Sequence, residues 1–353
     1  MNHRLLRVRD YLRQNSLEGV IVAKPENRRY LSGFTGSAGM LLIGAEEARL
    51  ITDFRYTEQA AQQAPNYTII KHAPDIYDTL AAEIKALGWS KIGFESDFVN
   101  YDSYKRIAEI VAEPAPVQLD GLRMVKDDSE LAAIRKAVEI ADSAFQDILP
   151  LLKPGARERD IALEIEFAMR RRGAEKHGFE TIVASGVRSA LPHGRASDKL
   201  IEAGDFVTID FGAVCDGYTS DATRTVVVGK ASAKQKEIYR IVLDAQLAGV
   251  AAVAAGKLGK EVDAVARKII SDAGYGENFG HGLGHGLGLF IHENPRLSPV
   301  GDITLAPNMV VTVEPGIYLP GWGGVRIEDT VVVTPAGAAI LTATSKELLE
   351  LDW

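Results

Sequence analysis

Two stretches of the chain, separated by about a hundred residues, read as copies of one another, and this repeat constrains the fold more than any other feature. Gly155-Ala156-Arg157-Glu158-Arg159-Asp160-Ile161 opens a helical pattern closed by Gly173. Gly256-Lys257-Leu258-Gly259-Lys260-Glu261-Val262 opens another closed by Gly274, and the opening and closing glycines are 18 residues apart in both. Further on, Phe206-Val207-Thr208-Ile209-Asp210-Phe211-Gly212 aligns with Val310-Val311-Thr312-Val313-Glu314-Pro315-Gly316. Each unit then continues into a second acid-bearing strand, ending Thr225-Val226-Val227-Val228 or Thr330-Val331-Val332-Val333. Two similar halves, each contributing two carboxylates, imply a pseudo-twofold sheet with a site on its axis.

The acids are Asp210, Asp221, Glu314 and Glu328, and His285 falls among them. All four carboxylates sit in or beside β-branched runs that read as buried strands, where an unpaired charge is costly. Asp216-Gly217 between apolar runs is a strong two-residue hairpin signal. With those two as the loop, Cys215 pairs with Tyr218 and Gly212 lies opposite Asp221. Asp210, two residues from Gly212, then projects from the same face as a diagonal neighbour of Asp221, roughly 7 Å away at the backbone. Two bare carboxylates at that distance repel, and one takes up a proton unless a cation intervenes. The second half is expected to do the same with Glu314 and Glu328, through the loop Pro320-Gly321-Trp322-Gly323-Gly324. Arg224 and Arg326 could neutralise two acids but not four. Four acids and one imidazole suit two divalent ions sharing bridging carboxylates, about 3.5–4 Å apart. Oxygen-rich ligation with one nitrogen favours Mn, Co, Fe or Zn.

The chain has 353 residues, enough for two domains. Residues 1–120 alternate short apolar runs with helical patterns and read as a small α/β domain. Gly19–Ala23, Met40–Ile43 and Arg49–Thr52 read as strands, the last two as a hairpin. Helical patterns cover Ile76–Leu87 and Tyr101–Val111, with the strand Lys91–Phe94 between them. Pro114 and Pro116 interrupt the pattern, so residues 112–125 are expected to be a connector. A second domain, residues 126–353, opens with a helix near Asp127, where Asp127-Asp128-Ser129-Glu130 offers an N-cap with an acid three residues on. The net charge of −8 provides no field for nucleic acid, and Arg170-Arg171-Arg172 reads as a solvated helix end. The single cysteine, Cys215, excludes internal disulfides and a Cys-rich zinc site. It reads as a packing residue beside the hairpin turn. Met1-Asn2-His3-Arg4 begins a polar segment, and no run is apolar enough for a signal peptide or membrane span, so a cytoplasmic protein is expected.

Phe279 to Gly288 is too glycine-rich for a helix interior and reads as an extended or looped stretch where backbone approaches a ligand closely. No Lys-Ser/Thr follows it, which argues against a phosphate loop. Spacing alone does not decide between His281 and His285 as a metal ligand. His292 and His193 add imidazoles on turn-like segments. Three of these within twelve residues, beside a metal site, point to proton transfer and substrate contacts.

These motifs resemble the pita-bread metallopeptidases, the family of methionine aminopeptidases, aminopeptidase P and prolidase. The likeness covers nearly the whole chain: residues 126–353 resemble the catalytic domain. Pro25-Glu26-Asn27-Arg28-Arg29-Tyr30-Leu31-Ser32-Gly33-Phe34 and Thr52-Asp53-Phe54-Arg55-Tyr56 resemble the creatinase-type N-terminal domain of the Xaa-Pro branch. The implied fold is α+β: a pita-bread domain with a pseudo-twofold repeat, preceded by a smaller α/β domain. The resemblance implies that Asp210 holds one metal, Asp221 and Glu328 bridge both, and His285 and Glu314 complete the other. It makes Glu314 a proton shuttle, His193, His281 and His292 substrate-binding and catalytic imidazoles, and Tyr318 and Arg326 substrate-side groups near the metals. It further implies two divalent ions, manganese first, small peptide substrates with proline second, and a homodimer. Rival readings are a methionine aminopeptidase, shorter and without this N-terminal domain, and creatinase, which lacks the metal set. A third is a metal-free binding module on the same fold, whose members lose ligands that this chain retains.

Overall fold

A computed structural model describes residues 3–352; Met1 and Asn2 of the polar N-terminal segment, and Trp353, lie outside that range. The chain divides after Arg123 into two compact units. In the first, six strands form one mixed sheet. Their order is Thr68–Lys71, Ala48–Thr52, Met40–Gly44, Gly19–Val22, Lys91–Glu95 and Glu113–Val117. The hairpin expected between Met40–Ile43 and Arg49–Thr52 is present and antiparallel. Helices Ile76–Leu87 and Tyr101–Ile110 start at side-chain N-caps, Asp75 and Asn100. Their apolar faces place Leu80, Ile84 and Ile107 against Ile21, Leu42, Ile92 and Phe94 of the sheet.

The expected connector at 112–125 is not one. Glu113–Val117 is a strand parallel to Lys91–Glu95, and a 3-10 turn at Asp120–Arg123 follows. Its two prolines lack N–H donors, but the strand is at the sheet's edge and has a single partner, so the pairing survives them. The sequence reading also passed over a helix at His3–Gln14, whose Leu5, Val8 and Leu12 are buried at helical spacing beneath a strongly polar face.

The second unit is built twice. A 21-residue helix, Asp128–Ile148, starts at an Asp127/Glu130 capping box and is followed by the 14-residue helix Glu158–Arg171. A 20-residue helix, Ala233–Ala252, starts at a Ser232/Gln235 capping box and is followed by the 14-residue helix Gly259–Asp272. Gly155 and Gly256 precede the short helices at φ +85° and +87°; Gly173 and Gly274 follow them at +99° and +89°. The backbone bonds repeat too. Gly155 N–H donates to Ile201 and Ile201 N–H to Ala156, while Gly256 donates to Leu305 and Leu305 to Lys257. Each half closes its own apolar core. One packs Ile161, Ile165 and Met169 on Val207, Ile209 and Val226; the other packs Val262, Ala266 and Ile270 with Val311, Val313 and Val331.

Where the halves meet, Thr225 corresponds to Thr330 as the repeat in the sequence has it, but Glu328 does not take the part of Asp221 that the sequence reading expects. Thr330 Oγ1 donates to the Asp221 carbonyl (2.7 Å), and Thr225 Oγ1 donates to the Arg326 carbonyl (3.0 Å). The twofold therefore relates Asp221 to Arg326 and Thr223 to Glu328. It also relates Arg224 to Asp329, whose side chains join across it at 2.9 Å with both residues buried. Arg224 further donates to the carbonyls of Thr223, Glu328, Thr344 and Ser345, and Asp329 accepts from Gln246 and Lys346. Removing Arg224 leaves the buried Asp329 charge to Lys346 alone and takes a donor from four carbonyls. Urea unfolding of Arg224→Met is expected to show a loss of about 3–5 kcal/mol; a loss near zero would show that the halves cohere without this pair.

Candidate metal centre

The turn Asp216-Gly217 adopts φ +49° and +78°, and Cys215 pairs with Tyr218. The same register continues into the strands Phe206–Phe211 and Ala222–Val228, with Thr223 opposite Asp210 and Ala222 opposite Phe211. Asp221 is thus the diagonal neighbour of Asp210, as the hairpin arithmetic requires. The second half differs. Val313 pairs with Asp329 and Gly316 with Arg326, one register carried through Pro315, so Glu314 faces Glu328 directly. The difference follows from the correspondence at the axis: Glu328 occupies the place of Thr223, not of Asp221.

His285 is carried by the short strand Gly284–Gly286, between Glu293–Leu297 and Val310–Val313. A Cβ at Gly284 would lie 2.0 Å from the Thr312 carbonyl oxygen, and one at Gly286 2.2 Å from that of Asn294. The glycines are there because neighbouring backbones press on both sides of the histidine. Its N–H donates to Thr312 Oγ1, and Nδ1 lies 3.1 Å from the Gly286 carbonyl. A carbonyl only accepts, so Nδ1 carries the proton and the Nε2 lone pair is free. That nitrogen points at Glu314 Oε1 (3.2 Å) and Asp221 Oδ2 (3.5 Å). A lone pair facing two carboxylate oxygens is stable only with a cation between them or a proton on the ring.

Asp221, His285 and Glu328 each offer a donor atom, and these atoms all lie within 4.8 Å of one another. Burial, then the charges of Glu328 and Asp210, drive the Asp221 carboxyl well above its ordinary range; burial and the charge of Glu314 do the same to Glu328. Burial also raises Asp210, against the opposing pull of Arg326. Burial acts on Glu314 as well, yet when a second proton sits on the His285 ring, at Nε2, that ring's bond and charge outweigh burial and hold the group at about 2. Asp210 Oδ1 and Glu328 Oε1 are buried without a hydrogen-bond partner. Orphaned oxygens and mutually raised carboxyls are what a divalent cation would relieve, so the donor set fits a metal. Arg224 neutralises none of the four acids, since it is spent on Asp329, and Arg326 reaches only Asp210, at 2.7 Å.

The acids open into a cavity of about 500 Å³ whose wall includes His193, His281 and His292. His193 is exposed on a turn. The His292 ring lies edge-on to His285 at 4.5 Å; burial, then the neighbouring His285, lowers its pKa to about 4. His281 has both nitrogens engaged, Nδ1 with the Gly282 carbonyl and Nε2 with the Tyr318 hydroxyl, each at 2.8 Å. Tyr318 in turn accepts from Arg326 at 3.0 Å, so a continuous line of bonds runs His281–Tyr318–Arg326–Asp210. Tyr318 stands behind the cavity wall, whereas Arg326 lines it.

The sequence reading missed two threonines. Thr223 Oγ1 donates to Glu328 (2.7 Å), and Thr312 Oγ1 donates to Glu314 (3.0 Å). Thr223 was readable as the cross-strand partner of Asp210, and Thr312 as the residue two before Glu314 on the same face. It also missed the cavity-wall residues Glu180, Arg195 and Arg296, for which no local pattern gave a signal.

Residues 132–335 match the family described as Metallopeptidase family M24, and residues 4–125 match the Creatinase/Prolidase N-terminal domain. A relative from Pyrococcus furiosus, named Xaa-Pro dipeptidase, is 43% identical over 99% of this chain and 100% of its own length. The structure of an Xaa-Pro dipeptidase from Bacillus anthracis superposes with a TM-score of 0.97 at 50% identity, covering 99% of both chains. That of an X-Pro aminopeptidase from Thermotoga maritima superposes at 0.91 with 40% identity, covering 98% of this chain and 99% of the other. Together with the acids and imidazole gathered where the two matching halves meet, these matches establish that the chain belongs to metallopeptidase family M24, its catalytic unit preceded by a creatinase/prolidase-type N-terminal domain.

Proposed function

We propose that this protein is a dinuclear Xaa-Pro peptidase that cuts the bond between an N-terminal residue and a following proline, with dipeptides preferred. The observation that carries the reading is the convergence of Asp210, Asp221, His285, Glu314 and Glu328 on one cavity, two of their buried oxygens being without partners. In this reading Asp221 and Glu328 would each help hold both ions, Asp210 would hold one of them, and His285 with Glu314 would hold the other. Manganese is the first choice of metal because the donors are mostly oxygen. When bound, such ions supply a water that is nucleophilic near neutral pH and Lewis acidity at the scissile carbonyl. The protein groups do the rest. Glu314 takes the proton from the attacking water and returns it to the departing proline nitrogen. His193 and His292 line the cavity where the carbonyl and its developing negative charge would lie. His281, tied to Tyr318, keeps the Arg326 guanidinium turned onto Asp210.

Proline and dipeptide preference rest on the relatives' names, which include both a dipeptidase and an aminopeptidase. A homodimer and a cytoplasmic location belong to the same reading. Among the described residues no helix is long and apolar enough to cross a membrane, and the chain has one cysteine. A metal-free binding module is disfavoured because, without a cation, the crowding of Asp221 and Glu328 is relieved only by proton uptake, which leaves two buried polar oxygens without partners.

Chelation should abolish hydrolysis, and Mn²⁺ or Co²⁺ should restore it. Asp221→Ala should remain inactive under the same treatment, with less metal retained at equilibrium; normal rate and metal content in that variant would refute the bridging role. His193→Ala is expected to lower kcat by about 10²-fold while metal content is unchanged; loss of metal instead would place His193 among the ligands. Turnover of Ala-Pro should exceed that of Ala-Pro-Ala. Hydrolysis of the tripeptide alone would overturn the dipeptide preference, and cleavage of Met-Ala-Ser with neither proline peptide would overturn the Xaa-Pro assignment.

A further inference from the structure

Besides His285 on its strand, the cavity wall carries three imidazoles, His193, His281 and His292, which sit on three separate loops outside any helix or strand. Loops without a ladder of backbone bonds drift, yet a reacting group must be held to within about 0.5 Å of its working place. Beneath each loop lies one buried carboxylate, paired with one cation and accepting backbone N–H groups of the loop itself.

Glu158, fully buried at the first turn of its helix, accepts from the N–H and hydroxyl of Ser185 (2.7 and 2.8 Å) and from those of Ser197 (3.1 and 2.7 Å). These serines bracket the His193 loop. Arg188 from inside the loop pairs with the same carboxylate and donates to the Arg195 carbonyl at 2.7 Å. Asp263, 1% exposed, accepts from Leu283 N–H at 3.0 Å and binds Arg267 through both oxygens at 2.7 and 2.9 Å. Arg267 then donates to the carbonyls of Phe279 (2.9 Å) and His281 (2.7 Å), so the pair spans the His281 loop from end to end. Glu293, the residue after His292, accepts from Phe290 N–H and from Lys126 Nζ, each at 3.1 Å, and the Lys126 side chain is 1% exposed.

None of these six residues is part of the cavity wall. Buried ion pairs contribute little net stability once desolvation is counted, so three of them, each framing one cavity histidine, call for another role. We infer that Glu158–Arg188, Asp263–Arg267 and Glu293–Lys126 are positioning clamps, one for each imidazole loop, each acting on turnover through the histidine it frames. This rests on the reading of His193 and His292 as groups that serve the substrate and of His281 as the group that holds Arg326 in place through Tyr318. Charge-assisted bonds suit the task, because a carboxylate accepts from both ends of a loop at once while its cation cancels the buried charge.

Double-mutant cycles on the metal-loaded full chain separate a clamp from a merely structural pair. Glu158→Gln, Asp263→Asn and Glu293→Gln should each lower kcat/KM by about 10-fold to 100-fold with metal content intact. Each loss should shrink below about twofold when the acid's own histidine is already alanine, and should multiply in full with the other two histidine variants. Where an acid variant fails to fold, the cation side replaces it. Arg188→Gln and Arg267→Gln remove side chains that are 25% and 26% exposed, and Lys126→Met removes the third. Losses that multiply with every histidine, or acid variants with wild-type kcat/KM, would overturn the clamps alone. Histidine variants with wild-type rates would overturn the histidine reading, and the clamps with it.

Discussion

Mutual repulsion among buried carboxylates is the constraint around which the catalytic unit is organised. Two like charges about 4 Å apart repel by about 4 kcal/mol at an effective dielectric of 20. Here Asp221 and Glu328 are almost wholly buried, Asp210 and Glu314 lie beside them, and the one guanidinium in reach is committed to Asp210. A fold that spends its core on such a cluster without an occupant would be working against itself. The strands that carry the acids are therefore pinned from behind: Thr223 and Thr312 hold Glu328 and Glu314 by their oxygens, and Arg224 with Asp329 joins the two halves.

The duplication accounts for both the symmetry of the scaffold and the asymmetry of its chemistry. Backbone bonds, glycine conformations and helix lengths repeat between the halves. At the axis the side chains do not. Where one half has Asp221 the other has Arg326, and where one has Thr223 the other has Glu328. One end of the sheet thus gains a guanidinium tied to Tyr318 and Asp210, while the other keeps two acids facing His285. Two copies of the first half would have set four acids about the axis with no guanidinium in the place of Arg326, and two copies of the second half four acids with two such guanidinium groups.

Much of this was legible in the sequence where local rules act. The Asp216-Gly217 turn fixes a register that holds from Cys215 opposite Tyr218 to Phe206 opposite Val227, so the neighbourhood of Asp210 and Asp221 followed from counting. The glycines flanking His285 announced close backbone approach, and the Asp127 capping box announced a helix start. Relations set by tertiary context were not legible. Pro114 and Pro116 punctuate a sequence, but an edge strand tolerates them because its outer side needs no donors. The longer turn after Leu319 does not fix register as a two-residue turn does, which hid the direct opposition of Glu314 and Glu328. Glu158, Asp263 and Lys126 lie 35, 18 and 166 residues from the histidines they serve, and as single charged residues on helices or connectors they carry no pattern.

Anomalous diffraction from crystals grown with Mn²⁺ tests the central claim most directly. The account predicts two peaks about 3.5–4 Å apart, both within bonding distance of Asp221 and Glu328, one also at Asp210 and the other at His285 and Glu314. No peak among these side chains at saturating Mn²⁺, with the carboxyls instead sharing protons, would contradict it.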